Sequence, residues 1–161
     1  MGDRITSDIV APTLYHAVGQ GALGVEIRIG DEKVAELCKS LTHWKTEWKC
    51  RAERSMLRVL EGGCSVPVGA NTSIEPIDTG ASGPTKSKLT ITGTVTAMSG
   101  SPHVEHTLTG EVASAEEADA LGEKLAKILI QTGAKEILEE IFRDREARTA
   151  AEKKVVVEES T

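Results

Sequence analysis

The apolar residues of the chain follow two periods, and the point where one gives way to the other divides it. Val34, Leu37, Cys38 and Leu41 recur at helical spacing, with Asp31 where an N-cap belongs, so a short amphipathic helix is expected there. A second helix is expected after Thr46, with Trp48, Ala52, Met56, Val59 and Leu60 on one face and Gly62-Gly63 as its stop. Glu47, Arg51, Arg54 and Arg58 fall largely on the other face. Glu53 and Arg54 read as exposed residues that make ion pairs at most.

Period two then takes over. Val66 to Ile74 is expected as a strand with Pro67 at its start, where a missing donor is tolerated. Leu89, Ile91, Gly93, Val95 and Ala97 alternate with threonines, the clearest strand pattern in the chain. Ser99 to Pro102 makes a turn, after which Val104, His106, Leu108, Gly110 and Val112 continue the alternation as an antiparallel neighbour. Glu75 to Ser87, rich in Pro, Gly, Ser and Thr, reads as a long mobile hairpin loop. Ser114-Ala115-Glu116-Glu117 has the form of a capping box and opens a helix with Ala118, Leu121, Leu125, Ile128 and Leu129 on its buried stripe. That helix should break near Thr132-Gly133 and resume through Ile137, Leu138, Ile141 and Phe142, with a frayed charged tail beyond. The sum is an α+β fold: a small three-stranded antiparallel sheet with helices packed on one face.

Composition narrows the function classes. Tyr15, Trp44, Trp48 and Phe142 are the only aromatic residues, so the core must be aliphatic and stacking platforms for single-stranded nucleic acid are not expected. A net charge of −6 gives no reason to bind nucleic acid or an anionic membrane. Met1 to Val10 holds no apolar leader run and no 18-residue apolar span occurs, so the expected location is cytoplasmic. Cys38, Cys50 and Cys64 form neither a disulfide framework nor a zinc spacing. His16, His43, His103 and His106 share no metal-binding interval, and no metal site is expected.

Two motifs invite chemistry. Gly19-Gln20-Gly21-Ala22-Leu23-Gly24 matches the dinucleotide fingerprint in letters, but Val25 to Ile29 alternate like a strand where that fingerprint needs a helix N-terminus. A tight glycine turn feeding a strand is the better reading, and nucleotide binding is not expected. Gly62-Gly63-Cys64-Ser65 puts Cys64 between a helix end and a strand. Taken alone, Cys64 is either a small buried hydrophobe or an exposed thiol, and the carboxyl end of a helix disfavours its thiolate.

Three blocks together carry a resemblance. Tyr15-His16-Ala17-Val18-Gly19-Gln20-Gly21-Ala22-Leu23-Gly24-Val25-Glu26-Ile27-Arg28, then Cys50-Arg51-Ala52-Glu53-Arg54, then Leu60-Glu61-Gly62-Gly63-Cys64-Ser65-Val66-Pro67-Val68 resemble the carboxyl-terminal part of porphobilinogen deaminase, also called hydroxymethylbilane synthase. The resemblance covers about residues 14 to 142. It implies a transferase of haem and tetrapyrrole biosynthesis that joins four porphobilinogen molecules head to tail and releases ammonia. It implies a covalent dipyrromethane cofactor held by Cys64 through a thioether, with Gly63 and Ser65 flanking it and Gln20, Gly21 and Ala22 bordering the cofactor cleft. The partners implied are porphobilinogen and the growing polypyrrole chain, and the family is usually monomeric.

The chain contains no Lys-Asp, Arg-Arg or Arg-Gly dipeptide, the family's marks of its catalytic aspartate and carboxylate-binding arginines. No catalytic residue is therefore expected here, and the chain is expected to be inactive alone. The resemblance divides it into residues 1–30, an extension with a remnant strand of another domain; 31–142, the cofactor-carrying domain; and 143–161, a charged tail. The alternative role is a non-enzymatic interaction module that docks onto a deaminase partner, since an orphaned strand at Val25 to Ile29 exposes ladder groups.

Overall fold

Alternation in the middle of the chain is realised as an antiparallel meander. The computed structural model describes residues 4–60, 66–77, 80 and 83–158. Its strands are β1 (His16–Ala17), β2 (Val68–Pro76), β3 (Ser87–Thr96) and β4 (His103–Val112), in the order β1-β2-β3-β4. Its helices are α1 (Glu32–Ser40), α2 (Trp44–Val59), α3 (Ala115–Leu129) and α4 (Lys135–Glu158). Val68, Val95 and Val104 lie in register across β2, β3 and β4, which sends Leu89, Ile91, Gly93 and Val95 to one face.

Helices α2 and α3 cover that face. Ala52, Met56, Leu125, Ala126 and Leu129 are fully buried together with Leu89, Ile91 and Val95. A Cβ at Gly93 would strike Met56 and Leu129, and one at Gly110 would strike Leu121, so both glycines leave room for helix side chains above the sheet. The two helices touch at Gly122, where a Cβ would run into the backbone carbonyl of Ala52. Arg51 clamps them further, with Nε 3.0 Å and Nη2 2.5 Å from Asp119 Oδ2, while the Ser55 hydroxyl donates to the Asp119 carbonyl at 2.8 Å.

The opposite face is polar. Thr90 meets Thr109 at 3.0 Å and Thr92 meets Thr107 at 2.8 Å, hydroxyl to hydroxyl across the β3–β4 ladder. The amino-terminal segment crosses this face at Tyr15, whose Cβ occupies the room left by Gly69 beside Thr94. Its burial and a hydrogen bond to Glu105 push the Tyr15 hydroxyl above its ordinary pKa.

Several expectations need correction. The sheet has four strands, because His16 and Ala17 pair with Ala70 and Gly69; a two-residue pairing leaves no period to read. Val25 to Ile29 finds no ladder partner among the described residues, so its alternation remains unrealised as a strand. Helix α2 begins at Trp44 rather than after Thr46, with the Trp44 ring edge-on to Trp48 at 4.9 Å. The tail expected to fray continues α4 to Glu158. Its Lys-, Glu-, Arg- and Ala-rich sequence favours helix and adds Lys135–Glu139 and Asp144–Arg148 pairs at i,i+4. The break near Thr132-Gly133 is a π-helical turn over Ile130–Ala134, with Gly133 at φ 115° and the Thr132 hydroxyl donating to the Ile128 and Leu129 carbonyls.

Both predicted caps form. Asp31 accepts from the Val34 amide at 3.1 Å, and Ser114 accepts from the Glu117 amide at 3.2 Å. Glu117 returns its bond to the amide of Ala113 at 2.6 Å, one residue before the one the capping box prescribes. The amide of Glu116 itself, then the Ser114 hydroxyl and the Arg51 guanidinium, hold the Glu116 carboxyl below the usual glutamate range. A depressed carboxylate stabilises the fold at neutral pH, and that contribution is lost as the pH falls through the lowered pKa. Ser114→Ala should therefore bring the Glu116 pKa, followed by NMR, up towards the ordinary value. Loss of the cap should cost about 1 kcal/mol in urea unfolding.

The contact at Gly122 gives a sharper expectation. Gly122→Ala meets backbone that has nowhere to go and should cost about 3 kcal/mol or more, whereas Gly93→Ala meets movable side-chain ends and should cost about 1 kcal/mol. Urea unfolding of the two variants tests the difference.

Candidate functional site

Helix α2 places Lys49, Cys50, Glu53 and Arg54 on the side that faces β1 and the glycine turn. With His16, Gly19 to Ala22 and Thr72 they enclose a cavity of about 360 Å³. The turn is built from two successive backbone bonds, Gln20 N to Ala17 O at 3.1 Å and Ala22 N to Gly19 O at 3.2 Å. It needs positive φ at Gly19 (76°) and Gly21 (73°), the conformation that glycine adopts without strain.

Glu53 forms the buried centre of this group. Its side chain is 8% exposed, and a single oxygen, Oε1, accepts from the Thr72 hydroxyl and lies 3.3 Å from His16 Nε2. The carboxylate thus joins α2, β2 and β1, and it positions the turn that follows β1. The reading of Glu53 as an exposed helix residue is corrected: it sits seven residues before Leu60, at the edge of the apolar stripe, and that spacing is the signal that could have revealed it. His16 stands against this carboxylate at half exposure. Among the described residues no group of three or more His, Cys, Asp or Glu side chains could hold an ion. Arg54 is exposed as expected, and neither it nor Lys49 has an ion-pair partner in the described structure.

A second cavity, of about 550 Å³, lies on the other side of β1. Ile9, Leu14 and Val68 give it apolar walls; Gln20, Thr94 and Thr96 give it polar points; Pro67 marks the return of the chain into β2. Gln20 borders both cavities, whereas Gly21 and Ala22 border only the smaller one. Gly63, Cys64 and Ser65 lie outside the described residues. Cys50 is half-buried against the smaller cavity, and Cys38 is half-buried on α1.

Fold and site together define an α+β domain of helices on a meander, with a glycine turn clamped beside it by a buried carboxylate. The chain belongs to the porphobilinogen deaminase family: the family model described as porphobilinogen deaminase, C-terminal domain, matches residues 48–131. Curated relatives named porphobilinogen deaminase agree. That of Debaryomyces hansenii is 41% identical over 145 residues, covering 90% of this chain and 38% of the relative. That of Synechococcus elongatus is 46% identical over 142 residues, covering 88% and 40%, and that of Schizosaccharomyces pombe is 37% identical over 145 residues, covering 90% and 42%. These alignments are longer than the stretch 14–142, so similarity extends beyond the part in which the resemblance is read. The chain spans about two-fifths of the length of these relatives.

Thr72 reports on whether the Glu53 clamp holds. Thr72→Val should cost about 1–3 kcal/mol, because it takes a donor from a buried carboxylate, and should speed hydrogen exchange at β1. Thr90→Val, on the open sheet face, should change stability by less than about 0.5 kcal/mol.

Proposed function

We propose that this chain is the cofactor-carrying part of a hydroxymethylbilane synthase and that Cys64 holds dipyrromethane through a thioether. The observation that carries this reading is that Cys64 falls inside the matched span 48–131, in the connection from α2 to β2. When bound, the group supplies the pyrrole end to which porphobilinogen units are joined. The family's reaction makes this enzyme a transferase, working on porphobilinogen and the growing polypyrrole chain.

The surroundings suit the anchoring role. The 550 Å³ cavity opens where the chain enters β2, is of ligand size, and offers apolar walls with Gln20 at its border. A sulfur–carbon bond at Cys64 resists hydrolysis, as an anchor retained through successive additions requires. Attachment happens once per molecule, so a thiol at the carboxyl end of a helix need not be a fast nucleophile. Among the described residues no Lys or Arg lines this cavity, which leaves His16 as its one basic side chain for a pyrrole carboxylate. The sequence also lacks the family's Lys-Asp, Arg-Arg and Arg-Gly motifs, so on this reading the chain supplies the anchor and by itself is catalytically silent.

Intact-mass measurement and porphobilinogen consumption test this. The purified chain should carry an unmodified Cys64 and consume no porphobilinogen. Exchanged as one polypeptide for the matching segment of the Debaryomyces hansenii relative, it should gain the mass of two pyrrole units, a gain that Cys64→Ser abolishes. A folded chimera with Cys64 unmodified overturns the proposal.

A further inference from the structure

Val25 to Ile29 alternates apolar and charged residues, yet among the described residues it pairs with no strand, and Val25 is 77% and Ile29 106% exposed. In an antiparallel sense the stretch is its own complement. Turned about Ile27, Val25 falls opposite Ile29, Glu26 opposite Arg28, and Ile27 opposite itself. Moving the centre by one position sets Glu26 against Glu26 or Arg28 against Arg28, so charge selects a single register. Neither Glu26 nor Arg28 makes an ion pair among the described residues. The backbone agrees with this register. The Arg28 carbonyl accepts from the Asp31 amide at 3.2 Å in the turn that leads into α1, whereas the amides of Val25, Ile27 and Ile29 donate to no backbone group in the described structure. With Ile27 in a hydrogen-bonded pair, those three amides face the second strand. Glu26 and Arg28 then fall in the non-bonded pairs, where opposite side chains approach most closely.

We propose that two copies of this chain associate through an antiparallel ladder of Val25 to Ile29 centred on Ile27, with the apolar face of each α1 laid across it. Charge argues for a second copy as the occupant. Residues 23–41 carry four carboxylates, Glu26, Asp31, Glu32 and Glu36, and three cations, Arg28, Lys33 and Lys39, so two copies meet close to neutrality although the whole chain is net −6. Asp31 is engaged as the N-cap and Glu36 pairs with Lys39 at 2.6 Å. Glu26 and Arg28 are the charges left on the strand, and the symmetry-related copy supplies the complement of each. Two-fold pairing satisfies both at once, which is the self-complementarity a symmetric dimer requires. A two-stranded ladder is marginal by itself in water, so it needs an apolar cover. Val25, Ile27 and Ile29 of both copies gather on one face of the ladder, and Val34, Leu37 and Leu41, spaced along one face of α1 and all exposed, supply that cover. The pairing draws on neither Cys64 nor the two cavities.

Sedimentation equilibrium of the full chain in reducing buffer, which removes disulfide-linked species, tests this together with residue-resolved hydrogen exchange. The chain should dimerise reversibly, and in the dimer the amides of Val25, Ile27 and Ile29 should exchange more slowly than in the dilute monomer, while those of Glu26 and Arg28 should not. Glu26→Arg sets like charges opposite each other in two pairs and should weaken the dimer by about tenfold or more, and Arg28→Glu should do the same. Mixing the two single variants should restore association, because each supplies the charge the other lacks, and the double variant Glu26→Arg with Arg28→Glu should dimerise alone. Both side chains are exposed, so the melting temperature of the monomer should stay unchanged throughout. A chain that sediments as a monomer at about 0.1 mM overturns the proposal and leaves the strand to another partner. A dimer indifferent to the single substitutions, or one that mixing fails to restore, overturns it as well.

Discussion

The approach of α2 to α3 at Ala52 and Gly122 sets the geometry on which the rest of the fold depends. With no side chain at Gly122 the two helix backbones come into contact, and that spacing lowers Met56, Leu125 and Leu129 together onto Gly93. The sheet answers with glycine where helix side chains need depth and with Leu89, Ile91 and Val95 where they do not. An aliphatic core with few rings has to reach native density in this way, by close backbones and interlocked branched side chains rather than by a few large ones. The Arg51–Asp119 bond and the Ser55 bond to the Asp119 carbonyl then fix the rotation of one helix against the other.

That rotation also decides where Glu53 points. Once Ala52 and Met56 are committed to α3 and the sheet, the neighbouring position on α2 must face β2, and a carboxylate there is tolerable only with donors. Thr72 provides one, and the imidazole of His16, 3.3 Å from the same oxygen, carries the contact on to β1 and the glycine turn. The turn that borders both cavities is thus held by the packing of the core one helix away. Gln20 owes its place to this chain of constraints more than to its own contacts.

How much of this is legible in the sequence follows from which interactions are local. The Asp31 and Ser114 caps, the Thr-alternating β3 and the break at Gly133 each depend on residues within a few positions and can be read directly. Strand β1 cannot, since two paired residues have no period, and neither can the burial of Glu53, whose partners stand 37 and 19 positions away. The persistence of α4 follows from propensity and i,i+4 charge pairs, which a search for apolar stripes overlooks. Cys64 is legible only through the three sequence blocks taken together, because a thiol after two glycines is otherwise an ordinary loop residue.

The distribution of burial separates stability from function. Among the described residues every buried hydrophobic side chain lies between Trp48 and Ile141, whereas those before Trp44 contribute only partly buried contacts. The core therefore closes without a fully buried side chain from the amino-terminal segment. This asymmetry puts the exposed strand pattern and the glycine turn on the same stretch of chain. The Glu53–His16 pair sits at the junction and ties the turn to α2. Through that pair His16, Ala17 and Gln20, which border both cavities, are registered to the helix and sheet of the core.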